Sequence, residues 1–254
     1  MKRRLGLKLW SHNVDWLTYA EKLFDEGIYQ FIELYILPDT TEFVEQWARQ
    51  RIPVQIHATH NLHGFNLAEP SKKEFNLKVY KQIREFADRC NAPSIVFHGG
   101  TDGNLQETIQ QLQSFHEPRA LIENKPYYPI RAIPDAKCCR GASIEEVQAI
   151  IQAVHCGFCL DICHAVCAAN AFHKDPYAYI DKLLALNPKQ LHLSDIPIDS
   201  TIDQHLHYGD GSVNIPDVLK KVAKDLPIVI ETKKDPNKHL EDFRADAEYL
   251  RRLE

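Results

Sequence analysis

The 254-residue sequence predicts an α/β fold, a single parallel (β/α)8 barrel of the TIM type. Short apolar runs that end near a polar residue alternate with amphipathic segments along the chain. Consecutive runs are spaced by about 30 residues, the usual length of a βαβ unit. Eight such runs fill a chain of the length typical of this barrel, and no linker or low-complexity stretch interrupts them. We therefore expect one barrel domain over residues 1–254.

The strands are predicted from short runs rich in Val, Ile, Leu and Phe. Pro38 stops the second run, and most of the later runs end at a His, Asp or Glu. The predicted strands cover residues 4–10, 30–37, 53–56, 93–97, 120–122, 156–160, 190–193 and 227–230.

Helices are predicted between the strands from apolar spacing and from residues that cap helix starts. Asp15 is a predicted cap, and two Ser-x-x-Glu sequences that begin at Ser71 and Ser143 have the spacing of capping boxes. Three prolines predict an irregular loop over residues 125–140. The predicted helices cover residues 15–25, 40–50, 71–89, 105–115, 143–154, 165–171, 176–186 and 240–253.

Composition and charge argue against several classes of protein. The formal charge of −5 gives no overall attraction to nucleic acid, although a local basic surface on residues 71–89 is an alternative to a plain solvated helix face. No Gly-x-Gly-x-x-Gly follows the first strand, which argues against a dinucleotide-binding sheet. No apolar run approaches the roughly 20 residues of a membrane span, and no signal peptide follows Met1. We expect no membrane partner and a cytoplasmic location.

The seven cysteines are interpreted as reduced, buried thiols. Their odd number and their spacing are unlike a disulfide framework. Cys156 and Cys159 form a Cys-x-x-Cys pair, so a redox or structural zinc site is the alternative. Because strand side chains alternate, Cys159 shares the face of Asp161 while Cys156 points the other way, which favours buried thiols.

Polar residues able to bind metal end six consecutive predicted strands. In a parallel barrel these ends meet at one mouth, where active sites of this fold lie. Three further candidates lie in the segments that follow two of these strands, those ending at Asp161 and near His192. The predicted metal ligands are His57, His98, Glu123, Asp161, His164, His192, Asp203, His205 and Glu231.

The nine candidates offer nitrogen and oxygen donors only, which suit Zn²⁺ or Mn²⁺. The Asp-x-x-His pair at Asp161 is weak by itself, because it is often a helix cap followed by an exposed histidine. Six strand ends with the same chemistry are hard to assign to chance. One four-coordinate ion cannot use nine ligands, so we expect two to three ions bridged by a carboxylate.

Several motifs resemble those of the endonuclease IV family (AP endonuclease family 2) of the xylose isomerase-like barrels, in the same order along almost the whole chain. They are Phe97-His98-Gly99-Gly100, Leu121-Ile122-Glu123-Asn124, Leu160-Asp161-Ile162-Cys163-His164-Ala165, Leu191-His192-Leu193-Ser194-Asp195, Asp203-Gln204-His205 before Gly209-Asp210-Gly211, and Ile230-Glu231-Thr232. The resemblance implies a hydrolase that cleaves the phosphodiester 5′ to an abasic nucleotide in DNA at a multinuclear zinc site. The implied ligands are His57, His98 and Glu123 for a first ion, Glu123 with Asp161, His192 and Glu231 for a second, and His164, Asp203 and His205 for a third.

Two stretches depart from that pattern. The second strand reads Glu33-Leu34-Tyr35-Ile36-Leu37-Pro38, which looks more like the sugar isomerases and epimerases of the same superfamily. The loop after the third strand is longer than in endonuclease IV, so His60 is an alternative ligand to His57. His57 is favoured because it lies at the strand end.

The alternative function is therefore a metal-dependent sugar isomerase or epimerase that acts on a small sugar or sugar phosphate. In that interpretation one ion is bound by Glu123, Asp161, His192 and Glu231. Glu123 and Glu231 are also the catalytic groups that move protons at the sugar carbons. A non-catalytic barrel that binds metal or a partner protein is the third possibility, but it leaves the site pattern unexplained. A one-metal isomerase has no use for the four additional candidate ligands, so their presence favours the hydrolase. The four are His57, His98, Asp203 and His205.

Overall fold

The computed structural model describes residues 2–129 and 135–254. Eight parallel strands close into a barrel in which each strand pairs with the next and the eighth pairs with the first. The predicted (β/α)8 barrel is confirmed, and every predicted strand overlaps an observed one. The strands are β1 Leu5–Trp10, β2 Phe31–Tyr35, β3 Val54–His57, β4 Ile95–His98, β5 Ala120–Glu123, β6 Gly157–Asp161, β7 Gln190–Leu193 and β8 Ile228–Ile230.

Helices connect the strands and bury their apolar faces in one large core. Among the described residues, none of these helices is both long and apolar enough to cross a membrane. The helices are α1 Leu17–Asp25, α2 Val44–Ala48, α3 Lys73–Arg89, α4 Leu105–Phe115, α5 Ile144–Val154, α6 Ile162–Ala171, α7 Pro176–Leu184, α8 Ile215–Lys221 and α9 Glu241–Arg252.

The polarity of the barrel interior changes along the strands. Val96, Leu121 and Cys159, one from each of β4, β5 and β6, form a small apolar cluster separate from the main core. Because strand side chains alternate, the same face turns polar two residues further along each strand. On β4, β5 and β6 the residues at that level are His98, Glu123 and Asp161.

The predicted helix starts are partly wrong. Asp15 lies inside a short 3-10 turn, Asn13–Trp16, and does not cap it. The Ser71 capping box does not form, because Glu69 caps a 3-10 turn, Pro70–Lys72, and α3 begins after it. Ser143 does cap α5 by accepting the backbone N–H of Glu146 (3.1 Å).

Two connections differ from the prediction. The helix α8 was missed because it has only seven residues, too few to show a helical period. Helix α6 begins at Ile162, directly after β6, because the Asp161 carboxylate accepts the backbone N–H of His164 (2.7 Å). The predicted loop over residues 125–140 forms no helix or strand in its described part, and residues 130–134 lie outside the described residues.

Candidate metal centre

All nine predicted ligands meet at the carboxyl mouth of the barrel. They fall into overlapping sets in which donor atoms lie within 4.8 Å of one another. We call them the first group (His57, His98, Glu123), the second group (Glu123, Asp161, His192, with Glu231 beside it) and the third group (His164, Asp203, His205). Their roles as ligands stay a prediction, but their side chains are brought together as that prediction requires.

The first group surrounds one oxygen of Glu123. His57 Nε2 lies 3.1 Å and His98 Nε2 3.0 Å from Glu123 Oε2. Donor atoms bound to one tetrahedral zinc ion are about 3.3 Å apart, given bond lengths of about 2.0–2.1 Å. The two histidine nitrogens therefore lie nearly as far from this carboxylate oxygen as two ligands of one zinc ion would.

The second group shares Glu123 with the first. His192 Nδ1 lies 3.6 Å from Glu123 Oε2 and 3.1 Å from Glu231 Oε1. Asp161 is 1% exposed and completes the set. Asn124 holds Asp161 in place, because its amide donates to the Asp161 carbonyl (2.9 Å) and accepts the Asp161 N–H (2.8 Å).

The third group lies on the first turn of α6 and in the loop after β7. Asp203 Oδ2 is 3.4 Å from His164 Nε2 and 2.7 Å from His205 Nε2. His164 Nδ1 lies 2.8 Å from Glu123 Oε1, which connects this group to the other two. Glu123 thus belongs to the first and second groups and touches the third.

Two histidines of the centre have their far nitrogen engaged elsewhere. His57 Nδ1 donates to the Ala58 carbonyl (2.8 Å), which leaves Nε2 for the first group. His192 Nε2 lies 3.0 Å from Glu33 Oε2, which leaves Nδ1 for the second group. Such outer partners fix the tautomer and the ring orientation of a metal ligand.

Two buried polar atoms support a bound cation. Among the described residues, His192 Nδ1 and Asp203 Oδ1 are buried and have no hydrogen-bond partner. Such atoms are costly unless a ligand, an ion or water satisfies them. Because both belong to the predicted ligand groups and the donors are nitrogen and oxygen, the residues fit a zinc or manganese site.

The electrostatics of the centre also favour a cation. Burial raises the pKa of Asp161 to about 6, and the nearby charges of Glu231, Glu123 and Asp203 add to the rise. Burial would lower the pKa of His164, but the charges of Asp161 and Asp203 outweigh it and raise that pKa to about 10. The shift of Asp161 comes mainly from burial, whereas the shift of His164 expresses the negative charge of the neighbouring carboxylates, which a divalent ion would neutralise.

The geometry distinguishes the two candidate histidines after β3. His57 reaches Glu123, as described above, whereas His60 is absent from the ligand groups found among the described residues. His60 Nδ1 accepts the backbone N–H of Leu62 (3.2 Å), and its ring stacks on that of His98 with centroids 5.1 Å apart. His60 therefore caps and packs its loop, and the geometry favours His57.

The other histidine near the third group turns away from it. His207 Nδ1 lies 2.7 Å from Asp246 on α9. His12 lines the cavity above the centre. Neither residue belongs to a ligand group in the described part of the chain.

Three residues of the centre were missed by the strand-end rule: Lys8, Glu33 and Lys125. Lys8 Nζ pairs with Glu33 and, at 2.8 Å, with Glu231 Oε1. Lys125 Nζ lies 3.3 Å from His98 Nε2 and 3.6 Å from Glu123 Oε1. The available signal was strand periodicity, since Lys8 and Glu33 are two residues before the ends of β1 and β2, and Lys125 is two residues after Glu123.

A cavity of about 680 Å³ lies above the centre. Residues of all three ligand groups line it together with aromatic side chains. Trp10, 43% exposed, packs on Tyr35 with ring centroids 5.6 Å apart, and Leu62 also lines the cavity. A volume in this range suits one small molecule or one nucleotide unit.

Residues 17–253 match the family model described as "Xylose isomerase-like TIM barrel". The chain belongs to this family. A curated relative, "Probable endonuclease 4" of Thermoplasma volcanium, is 28% identical over 220 residues, which cover 78% of this chain and 72% of the relative. The predicted resemblance to endonuclease IV is confirmed.

Three solved structures share the whole barrel with this chain. Endonuclease IV from Thermus thermophilus matches with a TM-score of 0.68 and 21% identity over 98% of this chain and 99% of that one. A D-tagatose 3-epimerase-like protein matches with a TM-score of 0.71 and 20% identity over 98% of both chains. A third structure, a Thermus thermophilus protein soaked with ZnCl₂, matches with a TM-score of 0.69 and 20% identity over 98% of this chain and 97% of that one. At these identities the structural matches show the fold alone.

All seven cysteines are free, as predicted, and none belongs to a ligand group among the described residues. The prediction that they are buried is only partly right, because Cys90, Cys138 and Cys156 are partly exposed. Burial raises the pKa of Cys156 to about 11 and that of Cys159 to about 12. Buried neutral thiols are poor metal ligands and poor nucleophiles.

Changing Cys156 to serine should leave the metal content and the activity of this barrel nearly intact. We expect a loss of about 1 kcal/mol or less in the free energy of unfolding, because the thiol is only partly buried. Elemental analysis of the purified variant checks the metal content. Loss of a metal equivalent on this change would reveal a thiolate ligand.

Proposed function

We propose that this protein is a metal-dependent phosphodiesterase of the endonuclease IV type, which cleaves DNA at abasic sites with zinc as its cofactor. The proposal rests mainly on one observation: Glu123 connects the three ligand groups. It belongs to the first and second groups and contacts His164 of the third. An isomerase with one ion would need only the second group. The curated relatives point the same way, since they are named "Probable endonuclease 4".

Clustered divalent ions can supply a hydroxide nucleophile, neutralise phosphate oxygens and stabilise the leaving oxygen. The chain's own residues hold the ligands at the required spacing. Glu33, completely buried, orients His192, and Lys8 contacts the same Glu231 oxygen that faces His192 Nδ1. Glu231, 3.1 Å from His192 and lining the cavity, is the second carboxylate we assign to the reaction.

The cavity also presents cationic groups to a phosphate. Lys125, Lys233 and Lys234 line it. Lys234 Nζ donates to the Thr232 carbonyl (2.9 Å), and burial lowers its pKa to about 8. A protein with a net charge of −5 thus carries local positive charge at the mouth, where DNA would approach.

The second candidate is a sugar isomerase or epimerase that binds a small sugar or sugar phosphate. It is favoured by the second strand, where Glu33 lies in the centre, and by the size of the cavity. In this case Glu123 and Glu231 would move protons at the sugar carbons, and one ion would suffice.

A duplex with a single abasic analogue separates the two candidates. The zinc-loaded protein should cut the strand 5′ to the analogue and leave a 3′-hydroxyl, and a chelator should abolish the cut. An intact duplex, together with interconversion of a ketose and its epimer or aldose, would refute the nuclease and support the isomerase.

Metal content gives a second test. Elemental analysis should find more than one equivalent of zinc or manganese per chain, in the range of two to three. His205→Ala should remove whatever ion the third group holds, because it breaks that group. His116→Ala is the matched control, since His116 follows α4, away from the ligand groups. A content of one equivalent that His205→Ala leaves unchanged would contradict the multinuclear site.

A further inference from the structure

A lysine ammonium lies within the candidate metal centre, between the first and third groups. Lys125 Nζ is 3.3 Å from His98 Nε2 and 3.3 Å from His164 Nε2. It is also 3.6 Å from Glu123 Oε1. The ammonium therefore contacts nitrogen atoms of both groups and the carboxylate that connects them.

The position of this lysine is built into the barrel. Lys125 follows β5 two residues after Glu123, so its side chain falls on the same face as that carboxylate. Its backbone N–H donates to the Gly141 carbonyl (2.9 Å), and its side chain is 11% exposed. The ammonium is therefore largely buried within the centre.

The charges of the centre balance with fewer than three ions. Among the described residues five carboxylates face it, and the two lysines that form ion pairs with them, Lys8 and Lys125, supply two positive charges. Two divalent ions bring the total to six positive charges against five negative ones, whereas a third ion would leave three uncompensated positive charges in a buried site. The five carboxylates are Glu33, Glu123, Asp161, Asp203 and Glu231.

An ion in the third group is the one whose binding this excess positive charge weakens most. Within the described chain the third group has one carboxylate, Asp203, and the first group has one, Glu123, whereas the second group has three with Glu231 included. His205 is also the most exposed of its ligands, at 31%. Of the two groups with a single carboxylate, the third is the more exposed, so a cation repelled by the ammonium is lost first from the third group.

We propose that the ammonium of Lys125 weakens the binding of a third cation, so that the protein binds two ions tightly in the first and second groups and a third ion only weakly in the third group. The inference rests on the proposed multinuclear site and specifies its stoichiometry. Lys125 acts on the metal ions through its positive charge and is not itself a metal ligand.

The test is a metal titration of the stripped protein and its variants, with zinc binding followed by competition against a chromophoric chelator. Wild-type protein should bind two equivalents tightly. Lys125→Met, which removes the charge and nearly keeps the volume, should bind a third equivalent with a dissociation constant at least about tenfold lower than that of the wild type. Lys125→Arg keeps the charge and should behave like wild type.

Lys137→Met is the matched control, because Lys137 lies exposed on the same connection between β5 and α5 and should leave binding unchanged. Thermal melting verifies that each variant is folded, and Lys125→Gln replaces Lys125→Met if the latter unfolds. Three tight equivalents in wild type, or equal binding by wild type and a folded neutral variant, would overturn the inference. Absence of binding in every protein would overturn the metal site itself, and the inference with it.

Discussion

Glu123→Gln is expected to lose a metal ion and at least about a thousandfold of the catalytic rate. The variant keeps the volume of the side chain but removes its negative charge. Four histidines have a ring nitrogen within 3.6 Å of this carboxylate: His57, His98, His164 and His192. Two cations a few ångströms apart repel each other and need an anion between them. Metal clusters contribute several kcal/mol to such reactions, and each 1.36 kcal/mol corresponds to about a tenfold change in rate.

Two measurements separate the expected effects. Elemental analysis gives the ions lost, and cleavage of a duplex with an abasic analogue gives the rate at saturating zinc. Glu85→Gln is the matched control, because Glu85 is exposed on α3 and the same charge is removed outside the ligand groups. A Glu123→Gln protein that keeps both its ions and its rate would show that Glu123 bridges nothing.

Much of this site could be predicted because barrel topology converts sequence order into spatial proximity. The ends of parallel strands meet at one mouth, so a polar residue such as His98 or Glu123 at a strand end is placed there by the fold itself. Asp161 and His164 are predictable for a related reason, since the cap that starts α6 also turns His164 towards the centre.

One residue that was missed, Lys8, joins the centre through a contact between strands that are far apart in the sequence. Lys8 lies two residues before the end of β1, and it becomes part of the centre only because β1 pairs with both β2 and β8. Its ion pair with Glu231 joins residues 223 positions apart, and no local pattern marks it. The choice between His57 and His60 likewise depended on the path of the loop, in which the backbone of Leu62 engages His60.

The ion pair of Lys8 supports a second large effect, on stability. Lys8→Met in the metal-free protein should lower the free energy of unfolding by about 3–5 kcal/mol, since it leaves the buried carboxylate of Glu33 without its ammonium partner. Glu33 is 0% exposed, and among the described residues its other side-chain partners are Gln190 and His192. Urea unfolding measured with a chelator present gives the value.

Lys78→Met is the matched control, because it breaks an ion pair with Asp39 in which both side chains are at least 67% exposed. Exposed pairs contribute about 1 kcal/mol or less, so this variant should be nearly as stable as wild type. Adding Glu33→Gln to Lys8→Met should restore more than half of the lost stability, because a neutral amide does not require a buried counter-charge. If Lys8→Met costs no more than Lys78→Met, the Lys8 ammonium does not compensate the charge of Glu33.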